Sequence, residues 1–265
     1  MSNRILCILF FSLLCPLSAV AQTYYSHNLF WFRIVLADTI TKKVKWEVHL
    51  QKRTQNSGGG SNFLSAPQLG TVWTWINFNL TDNIKLGITP FSYFNSHVLY
   101  VKPSDLERPA IKEYRWVVRL DHEQKGRFLN LINRVNLEYR VRDFYGNGNY
   151  ESNYRARFML RVEKPIDFSF LPRPVTIIAY DEVMLQFGEA VKGDPNVFDQ
   201  NRVYGGLSYA FSPSIRANVG YIYGFQQRIS GDEFDRTNTL WIVLTFDNLL
   251  SQFRRRNLTG KENEQ

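Results

Sequence analysis

The chain has 265 residues, a formal net charge of +8 at pH 7 and 15% aromatic residues, and its two cysteines are Cys7 and Cys15. Because both cysteines lie in the first 21 residues, the rest of the chain excludes disulfides, a cysteine nucleophile and cysteine metal ligands. Its length suits one large β domain or two small domains.

The first residues have the three parts of a secretory signal peptide. The cation Arg4 precedes an apolar run over 5–14, and AVA at 19–21 forms an A-x-A cleavage site. The run is too short to cross a bilayer as a helix, and the bulky residue before Cys15 disfavours lipid attachment there. We therefore predict a signal peptide over 1–21 and export of the remaining chain. Removing Arg4 takes the charge from +8 to +7, which favours anions or anionic surfaces but does not indicate a nucleic-acid partner for an exported chain.

Apolar and polar side chains alternate through most of the chain after the predicted signal. VKWEVHLQ at 44–51 and RVNLEYRVR at 134–142 each place apolar side chains on one face and charged or amide side chains on the other. Period two is typical of strands, and no helical period is sustained. We therefore predict one all-β domain over 22–253, followed by a polar tail over 254–265. Its predicted strands, in chain order, are 29–37, 44–53, 69–80, 84–95, 113–121, 134–142, 154–163, 174–187, 200–211, 215–228 and 238–246.

The alternation alone leaves open which face is the interior. A soluble β-sandwich would bury the apolar face, whereas a transmembrane barrel turns that face towards lipid. Several segments reach the roughly 9 to 11 residues that a strand needs to cross a bilayer. Short connections also alternate with long ones, as in outer-membrane barrels, although 164–173 is intermediate. We therefore predict an antiparallel up-and-down transmembrane β-barrel of about 10 to 12 strands, since eleven segments do not fit the even count usual for bacterial barrels.

Five short blocks resemble a known protein family. They are KWEVHLQKR at 45–53, EYRVR at 138–142, YRARF at 154–158, YDEVMLQFG at 180–188 and FDQNRVYGGLSY at 198–209. Through them the chain resembles the domain-of-unknown-function family 2490 over nearly all of the predicted mature part. The resemblance implies an outer-membrane β-barrel of Gram-negative bacteria, with no established activity and no catalytic residues to carry over. The expected location is the cell outer membrane, with outer-membrane lipid and the barrel-assembly machinery as partners.

A ladder of arginines on the polar strand faces is the strongest candidate site. Inside a barrel, guanidinium groups can pair with carboxylates on neighbouring strands, and unpaired ones can attract small anionic solutes. The preferred interpretation is an ion-pair network that fills a narrow lumen. Glu182 is isolated among apolar residues, so it should bond lumenal arginines, with Arg202 as the neighbouring-strand candidate. The predicted lumen-lining residues are Arg115, Arg119, Arg134, Glu138, Arg140, Arg142, Arg155, Arg157, Arg161, Glu182 and Arg202.

Three functions are compatible with these patterns. The favoured one is an integral outer-membrane barrel, either a porin-like channel whose positive lumen prefers anions or a structural and binding component. The second is a lipid-modifying hydrolase, which requires a serine nucleophile beside a base such as His49 or His97. The third is a secreted soluble β-sandwich. We recognise no catalytic motif, metal site or cofactor site, so no enzymatic activity is predicted.

Overall fold

The computed structural model describes residues 23–57, 60–194, 196–228 and 233–251. The predicted signal peptide over 1–21 and the predicted polar tail over 254–265 lie outside the described residues. No helix in the described part of the chain is long and apolar enough to cross a membrane.

Twelve β-strands and two short 3-10 helices form the described structure. Every predicted strand overlaps an observed one, and the predicted segment 84–95 is divided into two. The 3-10 helices, Pro103–Asp105 and Glu189–Val191, lie in connections between strands. The strands are β1 (Thr23–Thr41), β2 (Val44–Gln55), β3 (Ala66–Asn79), β4 (Ile84–Ile88), β5 (Ser92–Ser96), β6 (Ile111–Lys125), β7 (Asn130–Asp143), β8 (Glu151–Ile166), β9 (Val175–Phe187), β10 (Phe198–Ala210), β11 (Ile215–Gln227) and β12 (Glu233–Phe246).

Strands β4 and β5 share one position in the barrel wall, because both pair with β3 on one side and with β6 on the other. Pro90 lies between them, and proline interrupts a ladder because it has no N–H to donate. Hydrogen bonds continue around the break: the N–H of Thr74 donates to the carbonyl of Phe91 at 3.0 Å, and the N–H of Thr89 to that of Val117 at 2.9 Å. The twelve strands therefore occupy eleven positions.

The barrel closes through a parallel pair, β1 with β12, while the other neighbouring strands that the structure describes are antiparallel. The parallel register runs from Thr23 opposite Glu233 to Leu36 opposite Phe246. With eleven positions in alternating directions, the first and last strands point the same way, so their pair cannot be antiparallel. The structure thus differs from the antiparallel prediction at this one pair, and it settles the strand count within the predicted range.

The two ends of the barrel differ in their connections. One end carries the connections 56–65, 97–110 and 144–150, and we call it the long-loop end. The other end carries 42–43 and 126–129, and we call it the short-turn end. Because β1 leads into the turn 42–43, its start lies at the long-loop end. Strand β12 runs parallel to β1, so its end lies at the short-turn end.

Exposure of the strand faces is inverted relative to a soluble protein. On β7, Leu137 is 59% exposed, whereas the adjacent Glu138 is 1% exposed. Strands β6, β8 and β11 show the same arrangement, with Val118, Phe158 and Val219 exposed on the outside. An apolar exterior around a polar interior is the arrangement of a barrel that crosses a lipid bilayer. The predicted class, an all-β transmembrane barrel, is confirmed.

Aromatic side chains form a girdle on the exterior near the long-loop end. Ring centroids lie 5.4 Å apart for Tyr93 and Tyr114, 5.3 Å apart for Tyr139 and Tyr154, and 5.9 Å apart for Tyr154 and Phe187. Membrane barrels place such rings at the boundary between lipid and water. A tilted strand of 13 residues, such as β9, rises about 30 Å, which exceeds the roughly 25 Å apolar band of these barrels.

Candidate functional site

Charged side chains of the lumen are concentrated on β6 to β10. Alternation turns the odd-numbered positions of β6 and β8 inward, and the even-numbered positions of β7 and β9. The register then sets Glu138 opposite Arg155 and Asp121 opposite Arg134. Opposite charges that face each other across neighbouring strands stabilise the pair. The fold thus converts the arginine ladder of the sequence into cross-strand ion pairs.

Glu138 is the centre of this network. Its Oε2 lies 2.7 Å from Nη2 of Arg155, and its Oε1 lies 2.9 Å from Nη1 of Arg157. Nη1 of Arg115 is 3.4 Å from Oε2. A carboxylate removed from water needs such donors to offset its lost hydration, and here three guanidinium groups supply them.

A second carboxylate, Glu113, extends the network towards the long-loop end. Nη2 of Arg115 lies 2.6 Å from its Oε1, and Arg140 donates from Nε and Nη2 to its two oxygens at 2.8 and 2.9 Å. Arg155 also reaches Asp199, with Nη1 3.0 Å from Oδ2. Arg155 therefore joins two carboxylates, and the ion pairs link β6, β7, β8 and β10.

The prediction that Glu182 bonds lumenal arginines is confirmed. Its Oε1 lies 2.6 Å from Nη2 of Arg157, and its Oε2 lies 3.8 Å from Nη1 of Arg202. Arg202 is directly opposite Glu182 in the register, yet Arg157 on the other neighbouring strand is the closer partner. The sequence interpretation named Arg202 as the neighbouring-strand partner, and it did not foresee the shorter contact with Arg157 because both neighbours of β9 carry an inward-facing arginine.

Further ion pairs lie towards the short-turn end. Arg134 donates from Nε to Oδ1 of Asp121 at 2.5 Å, and Nε of Arg119 lies 3.3 Å from Oδ2 of the same residue. Arg161 pairs with Glu163 on its own strand. These contacts continue the network along β6, β7 and β8.

Arg142 differs from the other ladder arginines. It is buried, and no carboxylate lies within 4 Å of it among the described residues. Its Cζ lies 4.3 Å from the ring centroid of Phe144 instead.

All the predicted lumen-lining side chains belong to the inward-facing sets of their strands. Whether they bind a ligand stays a prediction.

Some lumenal arginines stack on tryptophan rings, a type of contact that the sequence interpretation did not predict. Cζ of Arg53 lies 3.6 Å from the ring centroid of Trp31, and Cζ of Arg119 lies 4.2 Å from that of Trp75. Guanidinium groups are attracted to aromatic faces, most strongly where water is excluded. Arg53 continues the polar row of β2, so its inward orientation followed from the alternation. Its tryptophan partner did not, because Trp31 lies within the apolar stretch LFWF.

An aromatic layer crosses the barrel between β9, β10, β12 and β1. Ring centroids are 4.7 Å apart for the stacked pair Tyr180 and Tyr204, 5.7 Å for Tyr204 and Trp241, and 6.0 Å for Trp241 and Trp31. Rings at these separations make favourable contacts beyond their burial. The layer fills the lumen beside these strands.

Two glycines make room for this layer. A Cβ atom on Gly206 would lie 2.2 Å from the hydroxyl of Tyr204, and a Cβ atom on Gly220 would lie 2.4 Å from its ring. The Tyr204 ring therefore lies directly on the backbone of β10 and β11, a close approach that a side chain at either position would prevent.

The connection 97–110 folds into the mouth at the long-loop end. Nε2 of Gln55 donates to the carbonyl of Val98 at 3.0 Å, and Nη2 of Arg228 donates to the carbonyl of Leu99 at 2.9 Å. Leu99 is buried in the same apolar cluster as Leu29 of β1. This connection therefore covers part of the opening.

Asp105 holds the turn of this connection. Burial alone would raise the pKa of Asp105. Its Oδ2 accepts hydrogen bonds from the N–H groups of Val101 and Lys102 at 3.0 and 3.1 Å, and these bonds outweigh burial, so the pKa of Asp105 lies below its ordinary value. A depressed carboxyl pKa contributes stability above the ordinary aspartate pKa, and the contribution is lost as the pH falls through the folded value. The turn is therefore held in place at neutral pH.

Two cavities lie on opposite sides of the aromatic layer. A cavity of about 290 Å³ opens at the short-turn end between β8, β9, β10 and β11. A much smaller one, about 30 Å³, lies towards the long-loop end beside Trp31, Arg53 and Arg202. Between them the ion pairs and the aromatic rings occupy the lumen, where Arg115, Glu138, Arg140, Arg155 and Glu182 are buried.

The histidines of the hydrolase hypothesis have other partners. Nε2 of His49 lies 2.9 Å from Oε2 of Glu47, and the ring of His97 lies 6.5 Å from that of Tyr100. In the part of the chain that the structure describes, neither histidine is hydrogen-bonded to a serine hydroxyl, and no cluster of three His, Cys, Asp or Glu residues could hold a metal ion.

An apolar exterior and a lumen filled by ion pairs and aromatic rings define a transmembrane β-barrel with a constricted interior. The family model described as "Protein of unknown function (DUF2490)" matches residues 28–235. The chain belongs to this family, as the resemblance in its sequence implied. A comparison with curated proteins gives no match.

Among solved structures, the chain is similar to a bacterial polysaccharide outer membrane secretin, with 9% identity and a TM-score of 0.45 over 77% of this chain and 63% of that one. It is also similar to the β domain of the Bordetella autotransporter BrkA, with 10% identity and a TM-score of 0.39 over 70% of this chain and 78% of that one. The chain spans less than two-thirds of the length of the secretin chain, and neither likeness assigns it a function.

Proposed function

We propose that the protein is an integral outer-membrane β-barrel that acts as a structural or ligand-binding component with a closed lumen, and not as an open porin-like channel. The observation that carries this proposal is the burial of the charges at mid-lumen. Glu138 is 1% exposed and its partner Arg155 is 6% exposed. Side chains that line a water-filled pore remain in contact with water, and these do not.

The proposed location rests on the apolar exterior, the aromatic girdle and the predicted signal peptide. A closed barrel leaves no unpaired sheet edge in lipid, which is why barrels can span a membrane. In this proposal, the exposed faces of strands such as β7 contact outer-membrane lipid, and the barrel-assembly machinery inserts the chain.

An ion that crossed the lumen would have to separate the pairs around Glu138. Removing one partner of a buried ion pair costs about 3–5 kcal/mol, because the remaining charge stays out of water. Transient separation of several linked pairs costs more. The network therefore supports a lumen that stays closed under ordinary membrane voltages.

A planar-bilayer recording tests the proposal. The protein without residues 1–21 is refolded in detergent, and heat-modifiable gel mobility first verifies a folded barrel. Added to the bilayer at concentrations at which a known porin gives steps, it should leave the current at baseline. Protease protection of the strands in vesicles serves as the control for insertion.

Discrete conductance steps from the inserted protein would contradict a closed lumen. Reversal potentials of Arg140→Gln and Arg157→Gln under a salt gradient would then show whether ions pass along the network, since losing lumenal positive charge should reduce anion preference. Unchanged selectivity in both variants would place the conducting path outside the arginine ladder.

A further inference from the structure

The cavity at the short-turn end lies outside the central ion-pair network. It is lined by inward-facing residues near the ends of β8 and β10 and near the starts of β9 and β11, together with the connection between β8 and β9. Ile178 forms part of its wall and also belongs to the apolar cluster that contains Tyr204. The cavity is therefore a vestibule that opens at the short-turn end and ends at the aromatic layer.

Positive charge dominates this vestibule. Three arginines line it, Arg161, Arg173 and Arg216, together with a single acidic residue, Glu163. That carboxylate is paired with Arg161. Within the described residues, Arg173 and Arg216 have no carboxylate within 4 Å and do not stack on an aromatic ring, which separates them from the arginines of the central network.

Hydrogen-bonding groups without partners also point to an occupant. Nε of Arg161 and Oδ1 of Asn218 are both buried polar atoms that lack a hydrogen-bond partner. Both residues line the vestibule, as do the hydroxyl-bearing Thr176 and Ser208. Buried polar groups are usually satisfied, so a bound ligand or ordered water would complete them. The terminal amide of Asn218 can also be turned to donate.

We propose that this vestibule binds a small phosphate-type anion, either free phosphate or the phosphate group of a small ester, between Arg161, Arg173 and Arg216. Arginine suits phosphate because its planar fork donates two parallel hydrogen bonds to two oxygens. Hydroxyl and amide groups from β9, β10 and β11 would complete the coordination. The site does not depend on whether the lumen conducts.

The volume of the vestibule sets the size of the ligand. About 290 Å³ lies at the lower limit of ordinary ligand pockets, which run from roughly 300 to 1,000 Å³. A phosphate group with a short polar substituent fits this range, whereas an oligosaccharide or a whole lipid does not. The aromatic layer at the inner end prevents passage further into the barrel.

Calorimetric titration of the refolded, detergent-solubilised protein tests this site. Inorganic phosphate and glycerol phosphate are titrated at low ionic strength, with glycerol as the uncharged control. Wild-type protein should show saturable binding with one site. Arg173→Gln and Arg216→Gln should each weaken it about tenfold or more, because each removes a charge-assisted hydrogen bond.

Arg127→Gln is the matched control. Arg127 lies in the short turn 126–129 at the same end of the barrel, is exposed, and does not line the vestibule. Its loss removes the same charge, so binding should stay within about twofold of wild type if the vestibule is the site. Arg173→Lys, which keeps the charge and loses the fork, provides a second variant should Arg173→Gln fail to show heat-modifiable folding.

Tighter binding of the ester would identify a phosphorylated small molecule, and equal binding would identify free phosphate. Either result supports the site. Absence of saturable binding to the wild-type protein would overturn the proposal. An equal loss in Arg127→Gln would also overturn it, because binding would then reflect the general charge of that end. Neither result alters the conductance expected of a closed lumen.

Discussion

Two walls of the lumen are built from the same alternating strand pattern but are filled in different ways. The wall formed by β6 to β9 is filled by carboxylates and arginines, with Glu138 in contact with three guanidinium groups. The wall formed by β10 to β12 and β1 to β3 is filled largely by aromatic rings, among them Tyr204, Trp241, Trp31 and Trp75. Period two determines which side chains point inward, and their chemistry determines how the space is occupied.

The difference predicts different sensitivities to mutation. In the charged wall, each carboxylate offsets several buried cations, so a change of one charge leaves uncompensated charge in a dry interior. In the aromatic wall, rings contact each other and the backbone directly, so a small change of volume is costly. The two walls should therefore differ in how substitutions change the free energy of unfolding. The charged wall should be sensitive to a change of charge at constant volume, and the aromatic wall to a change of volume at constant charge.

The largest effect is expected from Glu138→Gln. The substitution keeps the shape of the side chain but removes the charge that offsets Arg115, Arg155 and Arg157. Breaking a buried ion pair on one side costs about 3–5 kcal/mol of unfolding free energy. Urea unfolding in detergent, followed by the gel mobility of the folded form, measures this loss.

The matched control for that variant is Glu151→Gln, at the exposed start of β8. It removes the same charge at a solvated site, where substitutions usually change stability by less than about 0.5 kcal/mol. Equal losses in the two variants would mean that the central network contributes no more than surface charge does, and the contrast between the walls would fail.

A smaller but specific effect is expected from Gly220→Ala in the aromatic wall. The added methyl group would lie 2.4 Å from the Tyr204 ring, so the ring must move away from its stacked position. Overpacking of this kind costs about 1–3 kcal/mol. The same unfolding assay measures the loss, and the near-ultraviolet circular dichroism of the aromatic layer should change with it.

Gly205→Ala is the internal control for this variant. Gly205 lies on the outer face of β10, and a Cβ atom there would have no neighbour within 4 Å. Stability should be unchanged or slightly raised, because alanine restricts the unfolded chain. A loss as large as that of Gly220→Ala would indicate a requirement for backbone flexibility in place of the close ring contact.

The charged wall was largely predictable from the sequence, and the aromatic wall was not. In RVNLEYRVR, the alternation gave both the strand β7 and the inward side of its charges, since a one-residue shift would expose all of them to lipid. The closer partner of Glu182 could be identified only from the structure, because Arg157 and Arg202 lie on the two different strands that flank β9. The parallel pairing of β1 with β12 could not be predicted either. The sequence indicated eleven strand segments, but pairing between the first and last strands leaves no pattern in the local sequence.

The smallest expected effect concerns the contact between Arg53 and Trp31. It tests whether aromatic rings stabilise the buried arginines of the aromatic wall, as carboxylates stabilise those of the charged wall. A double-mutant cycle with Arg53→Met and Trp31→Phe should give a coupling free energy of about 0.5–2 kcal/mol, the range expected for a guanidinium over an indole face away from water. The contact is direct, with Cζ of Arg53 3.6 Å from the ring centroid. Urea unfolding of the four proteins gives the coupling.

The same cycle with Arg53→Met and Trp75→Phe is the control, since Trp75 is stacked by Arg119 instead. Its coupling should fall within about 0.5 kcal/mol of zero, as expected for residues without a shared contact. Similar coupling in both cycles would mean that Arg53 acts on the barrel as a whole. Strong coupling to Trp31 alone would mean that the ring takes the place of a carboxylate, which explains how a lumen with more arginines than acids remains closed.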